Sequence, residues 1–218
     1  MNAQTADRIS SQAELEEKPP SIAMLPLCHR RLVLTGFMGA GKTTAGRLLA
    51  ARLGWEFLDL DTSIEARTGL TVPAIFATHG EPHFRRLESQ ALASALGRNH
   101  LVLALGGGAP EVLTNRLLLE QTPGTVTILL DAPFATLFDR CMLQALNSSP
   151  DAAARALPGD RLGQSRPVFA DPAAAEARFL ARQPIYRRLA RHTIDTTSLT
   201  TEQAVAAVLA RLSASLRS

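Results

Sequence analysis

The segment GFMGAGKTT, Gly36 to Thr44, holds three glycines and closes on a lysine and two threonines. Gly36-x-x-x-x-Gly41-Lys42-Thr43 satisfies the P-loop pattern in full. Glycines at these spacings let backbone N–H groups turn inward around phosphate oxygens. The N-terminus of a following helix adds positive field at the same place. Gly39, Ala40, Gly41, Lys42, Thr43 and Thr44 are therefore the candidate nucleotide-binding residues. Lys42 would hold the β- and γ-phosphates, and the Thr43 hydroxyl would ligate Mg²⁺. The motif does not say what becomes of the nucleotide, because a GTPase or a regulatory ATPase would share it.

Three further stretches carry acceptor-side chemistry. Asp59 and Asp61 lie two apart in Phe57-Leu58-Asp59-Leu60-Asp61, and on a strand that spacing gives them one face. One could assist Mg²⁺, the other receive a proton from an attacking hydroxyl. Arg85 stands one helical turn from Glu81 and nearly one from Glu88. By spacing alone this is a surface ion-pair ladder of small energetic worth. Gly106-Gly107-Gly108 exceeds what one turn needs and suggests a ligand against bare backbone. The five histidines fall into no metal-ligand spacing and no Ser/His/Asp arrangement.

These residues need a scaffold. Leu32–Thr35, Phe57–Asp61, Leu101–Leu105, Thr125–Leu130 and a short run around Ile194 read as strands. Most are apolar on both faces, as buried parallel strands are. Helices are expected after the glycines (stripe Ala45, Leu48, Leu49, Leu53, ended by Gly54), from the Thr62/Glu65 capping box, over Glu81–Leu96, and from the Thr200/Gln203 box. The alternation predicts an α/β P-loop NTPase fold, a parallel sheet flanked by helices, with strand ends converging on one crevice. Residues 1–30 are polar and predict a flexible tail, leaving 31–218 as the P-loop domain. The irregular Ala/Pro/Asp/Arg-rich stretch over about 143–172 is expected to be a lid.

Composition narrows the class. The chain has 218 residues, 46% hydrophobic and 20% charged, with net charge +3, which suits one α/β domain. Aromatics are 5% and the arginines are scattered, which argues against nucleic acid. No apolar run reaches the length of a membrane helix. Cys28 and Cys141 lie far apart, as two thiols of a reducing compartment would. The first twenty residues lack a signal peptide's apolar core, and Glu14, Glu16 and Glu17 do not suit a transit peptide. The expected setting is cytoplasmic.

GFMGAGKTT, FLDLD followed by IEARTG, GEPHFRRLE, LALGGGA, RPVF from Arg166 and RQPIYRRLA from Arg182 occur in that order over about Arg31 to Leu212. Together they resemble the shikimate kinases. The resemblance implies transfer of phosphate from ATP to a ring hydroxyl of shikimate, with Mg²⁺, by a monomer without nucleic-acid or membrane partners. It implies Asp61 at the reacting hydroxyl as candidate base and Asp59 as the acid near Mg²⁺. Arg85 and Arg182 would clamp the shikimate carboxylate, and Gly107 would offer backbone to the substrate. Arg166 would be the lid arginine reaching the ATP phosphates, and Arg140 would pack near adenine. Lys42, Asp61 and Arg166 are thus the expected catalytic residues. A gluconate-type kinase would share the P-loop, but has no stated need for paired arginines facing a carboxylate together with the Asp59-x-Asp61 pair. A regulatory nucleotide-binding module would need no acceptor residues at all.

Overall fold

A computed structural model describes residues 29–147 and 171–214 of the chain. Five strands form one fully parallel sheet: β1 (Arg31–Thr35), β2 (Glu56–Asp59), β3 (Leu101–Ala104), β4 (Thr125–Asp131) and β5 (His192–Asp195), in the order β2-β3-β1-β4-β5. The central strands are buried on both faces. Leu32 and Leu34 of β1 join Val126, Ile128, Val205 and Leu212 on one side, while Val33 joins Leu92, Leu103 and Leu119 on the other. This is the two-residue alternation of a pleated strand serving two cores. Edge strands β2 and β5 are only partly buried.

The helices are α1 (Lys42–Leu53), α2 (Leu60–Thr68), α3 (Val72–His79), α4 (Glu81–Leu96), α5 (Leu113–Gln121), α6 (Phe134–Asn147), α7 (Pro172–Leu189) and α8 (Thr201–Ala214). Gly54 ends α1 in the left-handed region, donating to the Ala50 and Ala51 carbonyls. The capping box opens α8 as expected: the Thr200 N–H donates to Gln203 Oε1 at 2.9 Å, and the Gln203 N–H to Thr200 Oγ1 at 3.3 Å.

Several sequence expectations shift. Strand β2 stops at Asp59, and Leu60 and Asp61 open α2, so period-2 alternation does not place the two acids. The cap of α2 is Asp59, whose Oδ1 accepts from the Thr62 N–H, rather than a Thr62/Glu65 box. Glu65 instead accepts from the Val72 N–H at 2.8 Å. Helix α3 was not foreseen, although Thr71 at its cap, Pro73 in its first turn and Gly80 at its end mark it. Helix α6 runs through Asn147 and α7 begins at Pro172, so both ends of the expected lid are helical. Residues 148–170, with Arg166, and residues 1–28 lie outside the described residues. The Arg30 N–H already donates to Gly124, and Arg30 accepts from Leu101, so this end of the expected tail pairs with the sheet.

The loop after β1 emerges where the chain order departs to β3 on one side and β4 on the other. That switch point is where doubly wound sheets bind ligands.

Candidate active site

The loop Gly36–Gly41 joins β1 to α1. Gly36, Gly39 and Gly41 hold φ of 140°, 76° and 82°, values that side chains resist. A Cβ on Gly36 would strike the Leu130 carbonyl, and one on Gly39 the Leu137 carbonyl. Gly41 caps α1, whose first residues, Lys42 and Thr43, present uncapped N–H groups and a helix dipole. Lys42 Nζ donates to the carbonyls of Gly36 at 2.8 Å and Phe37 at 3.0 Å. Burial lowers its pKa, opposed by the charges of Asp61 and Asp59. Cys141 is a buried thiol lying under Gly39.

Thr43 and Asp59 meet directly: Thr43 Oγ1 donates to Asp59 Oδ2 at 2.7 Å. With its other oxygen Asp59 caps α2. Two oxygen ligands of this kind beside a phosphate loop suit a hard divalent cation. Among the described residues there is no cluster of three His, Cys, Asp or Glu side chains able to hold a metal. Any ion here would lean on substrate oxygens and water.

Beside the P-loop a cavity of about 260 Å³ is lined by Ala40, Thr44, Arg140, Leu199, Thr200 and Ala204, among others. The Arg140 guanidinium is tied to the Thr196 carbonyl at 2.6 Å, the Thr196 hydroxyl at 3.2 Å and the Thr197 carbonyl at 3.2 Å. It therefore forms a fixed wall of that cavity.

The other half of the crevice is built against Gly106–Gly108. None of these glycines has positive φ, so close approach accounts for them rather than torsion. A Cβ on Gly106 would stand 2.5 Å from Asp61 Oδ1 and 2.9 Å from Glu88 Oε1. A Cβ on Gly108 would stand 2.4 Å from both terminal nitrogens of Arg85. What lies against the bare backbone is thus the protein's own charged side chains. The Gly107 carbonyl accepts from the Tyr186 hydroxyl at 2.5 Å, and burial pushes that phenol's pKa up, so it stays a donor.

Arg85 is no surface ladder. Its side chain is 18% exposed and donates to Glu88 Oε2 and Glu81 Oε1, both at 2.8 Å; the Glu88 side chain is 1% exposed. Burial disfavours the charged guanidinium, but Glu88 and Glu81 outweigh it and raise its pKa. Arg182 reaches the same place from α7 and pairs with Glu111 Oε2 at 2.8 Å; Arg85 lies 3.6 Å from that oxygen. Sequence spacing could not join Arg85 to Arg182, because they are nearly a hundred residues apart on different helices.

Three enclosed polar atoms have no hydrogen-bond partner among the described residues of this crevice: Asp61 Oδ1, Glu88 Oε1 and Arg182 Nε. Such atoms are costly to bury unless a polar ligand meets them. Burial, then the nearby charge of Asp59, raises Asp61 to about 6 against the pull of Lys42. Burial likewise raises Glu88 to about 7, against Arg85. Glu88, Tyr186 and Glu111 were not singled out from the sequence as site residues. Glu88 was visible only as a helical neighbour of Arg85.

The crevice therefore joins a phosphate loop, a two-oxygen cation position, enclosed carboxylates and two converging guanidiniums. A family model described as shikimate kinase matches residues 38–213. A shikimate kinase of Nitrobacter winogradskyi is 39% identical over 181 residues, covering 82% of this chain and 75% of that protein. One from Symbiobacterium thermophilum is 41% identical over 181 residues, 83% of this chain and 95% of its own length. Among solved structures, the shikimate kinase of Acinetobacter baumannii in complex with shikimate is 33% identical. It aligns over 86% of this chain and 94% of its own, with a TM-score of 0.68.

Proposed function

The chain belongs to the shikimate kinase family, and from that premise we propose which of its residues carry the reaction. The enzyme transfers a phosphoryl group from ATP to a hydroxyl of shikimate, a step of aromatic amino-acid biosynthesis. One observation carries the assignment: two guanidiniums from different helices converge beside an enclosed, unpartnered Asp61 oxygen.

Arg85 and Arg182 bind the carboxylate of shikimate, since paired N–H groups suit a small planar anion. The Gly107 backbone lies against the ring. Asp61 orients the reacting hydroxyl and accepts its proton as that oxygen bonds to the γ-phosphorus and the bond to the ADP oxygen breaks. Phosphoryl transfer needs positioning and charge neutralisation more than covalent help. Gly39, Ala40, Gly41 and Thr44 supply backbone and hydroxyl donors to the phosphates, and Lys42 shifts from the loop carbonyls onto phosphate oxygens. Arg140 walls the adenine cavity, and Arg166 is assigned to the ATP phosphates. A nucleotide kinase of this type works with a divalent cation; Thr43 and Asp59 would hold Mg²⁺, which neutralises phosphate oxygens. A cytoplasmic monomer suits this chemistry, which needs only two small substrates.

Kinetics of Arg182→Ala test the clamp. KM for shikimate should rise about a hundredfold, the scale of a lost charge-assisted pair, with KM for ATP little changed. A rise confined to ATP would put this arginine on the other substrate.

A further inference from the structure

Glu111 holds the ground that the acceptor's carboxylate needs. It ends a short 3-10 turn, Ala109–Glu111, directly after the glycines. Its carboxylate pairs with Arg182 at 2.8 Å and lies 3.6 Å from Arg85. Resting on the function proposed above, we infer that Glu111 is an internal competitor for the substrate carboxylate, exchanging with it on Arg182 as an anionic acceptor enters.

The contacts separate this from a structural role. The turn is fixed by its backbone: the Glu111 N–H donates to the Gly108 carbonyl at 2.9 Å, and the Glu111 carbonyl accepts from Arg116 at 3.0 Å. The side chain is not needed to hold the turn, and at 39% exposed it has a path outward. Arg85 keeps Glu81 and Glu88 at 2.8 Å whether or not Glu111 moves, so its position is set independently. Arg182 differs, because Glu111 is its sole carboxylate partner among the described residues. An incoming carboxylate cannot share that oxygen's place without like-charge repulsion, so entry requires exchange. A neutral acceptor has no charge to exchange and leaves the Arg182–Glu111 pair in place, so its affinity does not depend on that pair.

The test compares shikimate with its methyl ester, which keeps the ring hydroxyls and lacks the charge. Binding of each to the full-length chain, saturated with ADP and Mg²⁺, is measured by calorimetry for wild type, Glu111→Gln and Glu111→Ala. Both variants should bind shikimate about fivefold tighter, the scale of a partly exposed ion pair, with the ester's affinity unchanged. Weaker or equal shikimate binding in both variants would overturn the inference and make Glu111 a positioning residue for Arg182. An equal gain for the ester would also overturn it, since charge exchange would not be the cause. Wild-type protein that binds ADP but not shikimate would refute the acceptor assignment itself, a different outcome from either. Unfolding temperatures of the variants confirm that folded protein is being compared.

Discussion

Glu88 shows at the level of one residue how the site departs from a stability optimum. It is fully buried, half-partnered through Arg85, and carries an orphan oxygen beside Asp61. Its folded pKa of about 7 lies above the ordinary 4.5, so the folded chain holds a proton there that the unfolded chain releases. The resulting stabilisation is full below 4.5 and is lost as pH rises through about 7. The stability difference between wild type and Glu88→Gln should therefore fall by about 1–3 kcal/mol from about pH 4.5 to about pH 8. Urea unfolding at several pH values checks this; a flat difference would mean that Glu88 is ionised throughout. Gly108 makes the complementary case. An added methyl group meets the far end of Arg85, which can give way, rather than rigid backbone. Gly108→Ala should fold with a near-normal melting temperature and raise KM for shikimate about tenfold or more, since small misplacements at a reacting centre are expensive. A normal KM would show that Arg85 binds equally well when displaced.

At the scale of elements, the P-loop was legible in full because it is a local device: glycine torsions, a strand before and a helix after. Strands β1, β3 and β4 were legible because both faces are buried and leave unbroken apolar runs. The end of β2 was not. FLDLD alternates like a strand, yet Asp59 accepts from the Thr62 N–H and turns the chain into α2. An N-cap aspartate overrode the period-2 pattern. The same turn puts Asp59 next to Thr43 and leaves Asp61 one step into the helix, facing Gly106. The converging acids were thus anticipated for a reason that the fold does not use. The surface reading of Arg85 failed because helical spacing names its neighbours Glu81 and Glu88 but not what covers them. Tyr186 and Glu111 reach the site only through contacts between α7 and the turn after β3, which no local pattern reports.

Across the whole molecule, the end of the sheet opposite the crevice is tied together by one buried side chain. Arg31, 5% exposed, donates to the carbonyls of Leu96, Arg98 and Pro123 at 2.6–2.7 Å and to the Thr125 hydroxyl at 3.0 Å. One guanidinium so joins the start of β1, the end of α4 and the turn before β4. Arg31→Met should keep the packing of the stem but strand those carbonyls, lowering unfolding free energy by roughly 3 kcal/mol with KM values near wild type. Denaturant titration reads the first and steady-state kinetics the second; a loss of shikimate affinity at full stability would contradict this division of labour. The central claim is that the enclosed acid beside the paired arginines serves the acceptor rather than the nucleotide. Coupled ADP release from Mg-ATP, with shikimate supplied or withheld, tests it most directly in wild type and Asp61→Asn. The account predicts shikimate-dependent ADP from wild type, a fall of about a hundredfold or more in the variant, and nearly unchanged nucleotide affinity. ADP release indifferent to shikimate, or an Asp61→Asn variant with near-normal turnover, would contradict it.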